Sequence, residues 1–336
     1  MRVYTFFLFI LFFTVLESCQ KNSSFRVISE TDTSYSADIR SISAKINKSP
    51  NEPDLYFKRA NTFYFESNLS EALLDIQYAI QLDSVNPVFE LTKGKFLMSN
   101  DTADAKLAEK AFLKSIRLNP TGFEAHSELA FLYLAKQNYD DAQLYYNTAS
   151  KIEPANPTPM FYMGMIAKEL GDTSKAIQLF EKVLVYDSKH YNAIMQLGNY
   201  YAYKNDVKAL LFFERALAIN EYSDEALYAK GLFLQKQGKF KDAVKLYETV
   251  SKVNPSHLYC RYNLGVINAM FGEYEEALKF INEIIDLEET YVDAYSLKGK
   301  VLESMKDIKG AKENYNKALS LDPQQSIAIE GLKRLN

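Results

Sequence analysis

Alanine returns at a nearly fixed step along most of this chain, at Ala72, Ala108, Ala142, Ala176, Ala209, Ala243, Ala277 and Ala311. The steps are 33 or 34 residues, except for one of 36 between Ala72 and Ala108. A period of that length marks a small supersecondary unit stacked on copies of itself, because no single copy buries its apolar face alone. Such an array offers an extended surface in place of an enclosed catalytic pocket. The ladder therefore directs attention to surfaces that hold other molecules.

Aligned on those alanines, the chain divides into 53–86, 87–122, 123–156, 157–190, 191–223, 224–257, 258–291 and 292–325. Eleven to fourteen residues before each alanine stands a second small residue: Ala60, Gly94, Ala130, Gly164, Gly198, Gly231, Gly265 or Gly299. Four residues after it comes a large apolar one: Ile76, Phe112, Tyr146, Phe180, Phe213, Tyr247, Ile281 or Tyr315. Apolar residues such as Leu129, Ala130 and Tyr133 keep helical spacing. Gly171-Asp172, Gly238-Lys239 and Gly272-Glu273 read as turns, and Pro120, Pro154, Pro255 and Pro323 close units where a helix cannot continue.

This pattern resembles the tetratricopeptide repeat, a helix–turn–helix of about 34 residues. The resemblance implies an all-α, right-handed superhelical solenoid of eight units over 53–325. The end units of such arrays need caps. Residues 36–52 supply one, with Ile39, Ile42 and Ile46 on a single face, and residues 326–336 supply the other, with Lys333 and Arg334 turned to water. Departures are local. The position often filled by Trp holds Tyr56, Glu90, His126, Met160, Ile194, Leu227, Arg261 and Tyr295, and the chain has no Trp. The second unit carries two extra residues around Ser99-Asn100-Asp101-Thr102, and the fifth is one short near Asn205-Asp206.

The first nineteen residues have a different character. One Arg precedes an apolar run from Val3 to Leu16, too short for a comfortable membrane span, so residues 1–18 read as a signal peptide. Leu16-Glu17-Ser18-Cys19 resembles a bacterial lipobox, whose cysteine becomes the lipidated first residue. That resemblance implies a lipid anchor at Cys19, since two or more acyl chains hold a protein to a membrane where one does not. The polar, Ser/Thr-rich stretch 19–35 reads as a flexible tether averaging roughly 20–25 Å end to end. No Asp follows Cys19, so an outer-membrane lipoprotein facing the periplasm of a Bacteroidetes-type bacterium is expected, with surface exposure the variant. Secretion as a soluble protein is the alternative. Asp101-Thr102-Ala103 resembles the short O-glycosylation sites of that phylum.

Composition excludes several classes. Formal net charge is −4, with no basic stripe, which disfavours nucleic acid. Of the two cysteines, Cys260 occupies a position filled elsewhere by Ala125, Ala193, Ala226 and Ala294, and reads as a small packed residue. His126, His190 and His257 lack ligand-spaced partners, so neither a metal nor another cofactor is expected. No nucleophile constellation or phosphate-binding glycine loop appears, and no enzyme activity is expected.

In the tetratricopeptide family the first helix of each unit lines the concave face, through its second, fifth, ninth, twelfth and thirteenth residues. Carried onto this chain, those positions give a candidate peptide-binding groove of Phe57, Asn61, Phe131, Phe161, Met165, Asn199, Tyr203, Tyr228 and Tyr262. The fifth positions hold no Lys, which argues against a clamp for an acidic chain terminus. The expected role is a membrane-anchored scaffold holding peptides or partner proteins in secretion, cell-wall or outer-membrane assembly. A glycan-binding accessory lipoprotein is the alternative, because exposed Tyr and Phe stack on sugars.

Overall fold

The computed structural model describes residues 28–29, 31–99 and 105–335, in two compact units that meet in sequence at Pro120 and Thr121. Cys19, the signal peptide 1–18, most of the tether and Asp101-Thr102-Ala103 lie outside the described residues. The first unit holds α1 (Ala37–Lys48), α2 (Pro53–Phe65), α3 (Leu69–Leu82), α4 (Pro87–Met98) and α5 (Ala105–Leu118). The second begins with α6 (Phe123–Ala135), α7 (Tyr139–Ile152), α8 (Pro157–Glu169), α9 (Thr173–Tyr186), α10 (Tyr191–Tyr203) and α11 (Lys208–Ile219). It continues with α12 (Asp224–Lys236), α13 (Phe240–Val253), α14 (Leu258–Phe271), α15 (Tyr274–Leu287), α16 (Val292–Ser304), α17 (Ile308–Leu321) and α18 (Ser326–Leu335). Among the described residues there is no strand, and each unit is an all-α stack of helix pairs, as the ladder requires. No described helix is long and apolar enough to cross a membrane.

One turn recurs inside the pairs. The second residue after the first helix, or the first after α14, takes a left-handed conformation, with φ of +80° at Gly171, +73° at Gly238 and +81° at Gly272. The same turn is made without glycine at Ser67, Gln137, Asn205 and Lys306. The next residue then serves both helices. Asp172 donates its backbone N–H to Ala167 O at 2.8 Å, closing α8, while its side chain accepts from Lys175 N at 3.0 Å and caps α9. Asn68, Asn138 and Asp307 cap α3, α7 and α17 in the same way. Each such cap satisfies a helix-end donor and is worth about 1 kcal/mol.

Where the two helices of a pair cross, the glycine ladder meets the aromatic ladder. A Cβ added to Gly164, Gly198, Gly231 or Gly299 would stand 2.6 to 2.8 Å from the ring of Phe180, Phe213, Tyr247 or Tyr315. Gly94 faces Phe112 as closely. Where the partner is the slimmer Ile281, the nearest atom to a Cβ on Gly265 is 3.2 Å away. The small residue is thus the seat for the ring. The ladder alanines are buried as well, and one apolar cluster follows another along each stack.

The tyrosines among these rings need an acceptor, because a buried hydroxyl without one costs about 1–3 kcal/mol. Tyr247 donates to Gln235 Oε1 at 2.7 Å and Tyr315 to Glu303 Oε2 at 2.6 Å. The residue corresponding to Gln235 and Glu303 is Leu134, and the Tyr146 hydroxyl opposite it is buried with no hydrogen-bond partner among the described residues.

Both ends of the array carry extra packing. In the first unit, buried Arg59 on α2 donates to both carboxylate oxygens of Asp75 on α3, at 2.6 and 2.8 Å, and to Ser43 Oγ on α1 at 3.0 Å. It ties the terminal helix to the first pair, and removing one partner of such a buried pair costs roughly 3–5 kcal/mol. The expected tether needs correction here. Ile28 is buried in the first core cluster and Tyr35 packs edge-on against Phe63 at 5.9 Å, so these described residues of 19–35 lie against the helices. The apolar residues Phe25, Val27 and Ile28, with Tyr35, are the signal in that otherwise polar stretch that argues against a plain tether. At the other end Gly331 of α18 seats the opposite edge of the Tyr315 ring. Arg334, expected to face water, instead donates to both carboxylate oxygens of Glu303 at 2.9 Å, although it stays half exposed.

Candidate partner-binding hollow

The residues expected to form one groove meet different fates. In the first unit Phe57 packs on Phe89 with ring centroids 5.2 Å apart, and Asn61 donates its Nδ2 to Phe57 O at 2.8 Å. That bond uses one of the two donors of the amide. In the second unit Phe161, Tyr228 and Tyr262 are half-buried. Phe161 lies over His190 at 4.9 Å, Tyr228 over His257 at 4.6 Å, and Tyr262 beside Tyr291 at 6.3 Å. Those partners are the residues that begin the next pair. His190 and His257 are helix caps, whose Nδ1 atoms accept from Ala193 N at 3.2 Å and Cys260 N at 3.1 Å. The three aromatic residues therefore join successive pairs, and burial pushes the Tyr228 and Tyr262 hydroxyls above the ordinary phenol range. Met165 packs in the core beneath α9, and Phe131 stays exposed beside Tyr162 at 5.7 Å.

Asn199 and Tyr203 are placed differently. Both lie on α10 and border a hollow of about 280 Å³ between α10 and the preceding pair, α8 and α9. Its floor is apolar, made by Ala176, Ile177 and Phe180 of α9. Gln196, Asn199, Tyr200 and Tyr203 form one wall, at i, i+3, i+4 and i+7 on a single helix face. Lys168 and Lys204 stand on the rim. Lys168 donates to Gln196 Oε1 at 2.9 Å, and the Lys204 ammonium lies 5.9 Å from the centre of the Tyr203 ring. Tyr203 is 80% exposed, which leaves its ring available to cover an incoming group.

Magnitudes decide what this arrangement holds best. Burying a Leu-sized side chain against the floor is worth about 1.5–3 kcal/mol. An exposed lysine–carboxylate pair at the rim adds only about 0.2–1 kcal/mol. For a bound aliphatic group, the floor would supply most of the affinity. The amides and lysines would orient such a group and suit an acidic neighbour.

Lys168, Thr173, Ile177 and Tyr200 were not among the expected residues. Tyr200 was within reach, since it shares the face of Asn199 and Tyr203 by helical spacing. Residues of α8 and α9 were not, because a scheme that counts first-helix positions unit by unit does not show which preceding pair closes the site. Other features stay structural. Cys260 is buried, its thiol donates to Tyr247 O at 2.9 Å, and burial pushes it up to about 11. No group of three or more His, Cys, Asp or Glu side chains among the described residues is arranged for a metal ion.

Comparison with known proteins gives a consistent picture. Sequence models of the tetratricopeptide repeat match residues 111–144, 160–189 and 292–325. The model of anaphase-promoting complex (cyclosome) subunit 3 matches 202–284. A TPR repeat-containing protein of Methanocaldococcus jannaschii is 27% identical over 85% of this chain and 47% of its own length. The Hsp70-Hsp90 organizing protein of Triticum aestivum is 27% identical over 51% of this chain and 28% of its own. The chain thus spans less than half the length of these relatives. Among solved structures, the C-terminal part of a TPR repeat-containing protein from Cytophaga hutchinsonii superposes with a TM-score of 0.59. It is 19% identical and aligns with 72% of this chain and 99% of its own.

Proposed function

Because this chain is a tetratricopeptide-repeat protein, we propose that it works as a scaffold that captures a peptide segment of a partner protein. The observation that carries this reading is the hollow between α8, α9 and α10, with an apolar floor, an amide wall and two lysines at the rim. It fits a segment that presents one aliphatic side chain beside an acidic residue. The sequence of residues 1–19 supports the finer part of the proposal, a lipid-anchored protein of the bacterial envelope that holds its clients near the membrane.

Selection from a random peptide library tests the capture reading. Selected peptides are expected to share an aliphatic residue flanked by Asp or Glu. Ile177→Asp should abolish their binding, and Lys204→Gln should weaken it less than tenfold, with helical content unchanged in both variants. Peptides without a shared aliphatic position, or binding indifferent to Ile177→Asp, would overturn it. Replacing Cys19 by Ser should release the protein from membranes, and retention would remove the anchor. A second reading draws on Tyr259, which is exposed and lies 6.4 Å from Tyr291. Such a pair suits stacking on a sugar, and a glycan-array signal lost in Tyr259→Ala would favour that reading.

A further inference from the structure

The first unit carries a second hollow, unrelated to the groove positions. It measures about 410 Å³ and lies between α3 and α5, with α4 beneath it. Four cations line it, Lys93, Lys110, Lys114 and Arg117, against the single carboxylate of Glu90. Glu90 is buried, and its Oε1 accepts from Lys114 Nζ at 2.6 Å. Lys93 donates to Gln77 Oε1 at 2.6 Å. Lys110 and Arg117 are exposed and make no salt bridge among the described residues. The hollow is therefore net positive on a chain whose formal charge is −4.

Ion pairs at these registers also occur elsewhere along the chain, Arg261–Glu283 at the positions of Glu90 and Lys114 with the charges exchanged and Lys230–Glu214 at those of Lys93 and Gln77, so what sets this hollow apart is its excess of cations. In α10 the positions corresponding to Glu90 and Lys93 hold Ile194 and Leu197, both buried, and the same seam closes with apolar packing. Sinking a carboxylate and a lysine into it costs desolvation that two aliphatic residues avoid. Glu90 instead holds Lys114 in place, and Gln77 holds Lys93, so two of the cations are oriented in advance.

We propose that this hollow binds a phosphoryl group. A guanidinium matches phosphate oxygens with paired N–H donors, and lysines add point charges around the same compact anion. The polar lining is mostly cationic, with no row of amides to accept an extended peptide backbone, which favours a compact anion over an acidic peptide. Ile80, Ala111 and Leu113 give an apolar wall for whatever carries the phosphate. The carrier is either the headgroup of an anionic phospholipid or a soluble organic phosphate.

Two measurements on the full chain distinguish the sources. Pyrophosphate is titrated by calorimetry at constant ionic strength. Separately, co-sedimentation with phosphatidylglycerol–phosphatidylcholine vesicles is compared with phosphatidylcholine vesicles alone, a difference unaffected by insertion common to both. Lys110→Gln with Arg117→Gln alters only exposed side chains. This double variant should weaken binding at least tenfold, whereas Lys241→Gln with Lys252→Gln on α13 should leave it unchanged. Variant-sensitive pyrophosphate binding supports a soluble ligand, and a variant-sensitive preference for the anionic vesicles supports a headgroup. Absence of variant-sensitive binding in both arms overturns the proposal, as does equal loss in the α13 control. Capture of poly-glutamate with both phosphate arms silent overturns it as well.

Discussion

Adding one methyl group at Gly231 should be more costly than adding it at Gly265. Each glycine lies in the first helix of a pair, where alanine is intrinsically better by about 1 kcal/mol. That gain is common to both sites and cancels in the comparison. At Gly231 the new Cβ would lie 2.6 Å from Tyr247 Cε1 and 3.1 Å from Cδ1, where carbon atoms prefer about 3.5–4.0 Å. The ring cannot easily retreat. It is fully buried, its hydroxyl is held by Gln235, and Tyr228 packs against it at 5.8 Å. Overpacking of this kind costs about 1–3 kcal/mol. At Gly265 the nearest neighbour is Ile281 Cγ1 at 3.2 Å, and a shift of a few tenths of an ångström accommodates the methyl group. Gly265→Ala should be neutral or stabilising, and Gly231→Ala less stable than it by about 1–3 kcal/mol. Urea unfolding followed by circular dichroism, with native-state hydrogen exchange to locate the effect in α12 and α13, measures the difference. A Tyr247→Ile background restores the Ala/Ile pairing already present at Ala60 and Ile76, and should erase the penalty. Equal shifts for both glycine variants, or a penalty that persists once Tyr247→Ile has removed the ring, would refute the seat-and-ring account.

Three other tests address the side chains around this frame. Tyr146→Phe removes a buried hydroxyl with no partner among the described residues and should be neutral or stabilising, whereas Tyr247→Phe loses its bond to Gln235 and should cost about 1 kcal/mol; matched denaturation curves decide. The hydrogen bonds from Arg334 hold the Glu303 carboxyl below its usual value of 4.5, so its contribution is present above that value and lost as the pH falls through the depressed one. Glu303→Gln should therefore be less stable at neutral pH and converge with the parent in acid, as followed by amide exchange in α18. With its thiol pushed up to about 11 and its side chain enclosed, Cys260 should resist iodoacetamide at pH 7.5 in the native protein and react fully in urea, as read by peptide mass spectrometry.

The frame was legible because its information is repeated. Each alanine, glycine and ring occurs up to eight times at one spacing, so a local irregularity such as the lengthened loop near Ser99 does not hide the helix pairs. The site was less legible because it is made by what differs between copies. Asn199 and Tyr203 were found, but Ile177 and Lys168 come from the preceding pair and carry no mark in a position-by-position reading. Phe161 and Tyr228 looked like ligand contacts because they are aromatic residues at groove positions. The structure shows them packed on His190 and His257, a role set by those two cap residues beginning the next pairs. Arg59 is a similar case. Its register holds Leu129, Leu197 and Leu264 in some units and Lys93, Lys230 and Lys298 in others, and only the meeting of α1, α2 and α3 shows that Asp75 and Ser43 are its partners.

Site-specific photocrosslinking tests the central claim most directly. A benzophenone amino acid in place of exposed Tyr203 lies over the hollow, and one in place of exposed Leu144 on α7 serves as a control. With a library-selected peptide, the account predicts a crosslink from position 203 that an Ile177→Asp background abolishes, and none from position 144. Equal crosslinking from both positions, or a crosslink at 203 that survives Ile177→Asp, would contradict capture in this hollow.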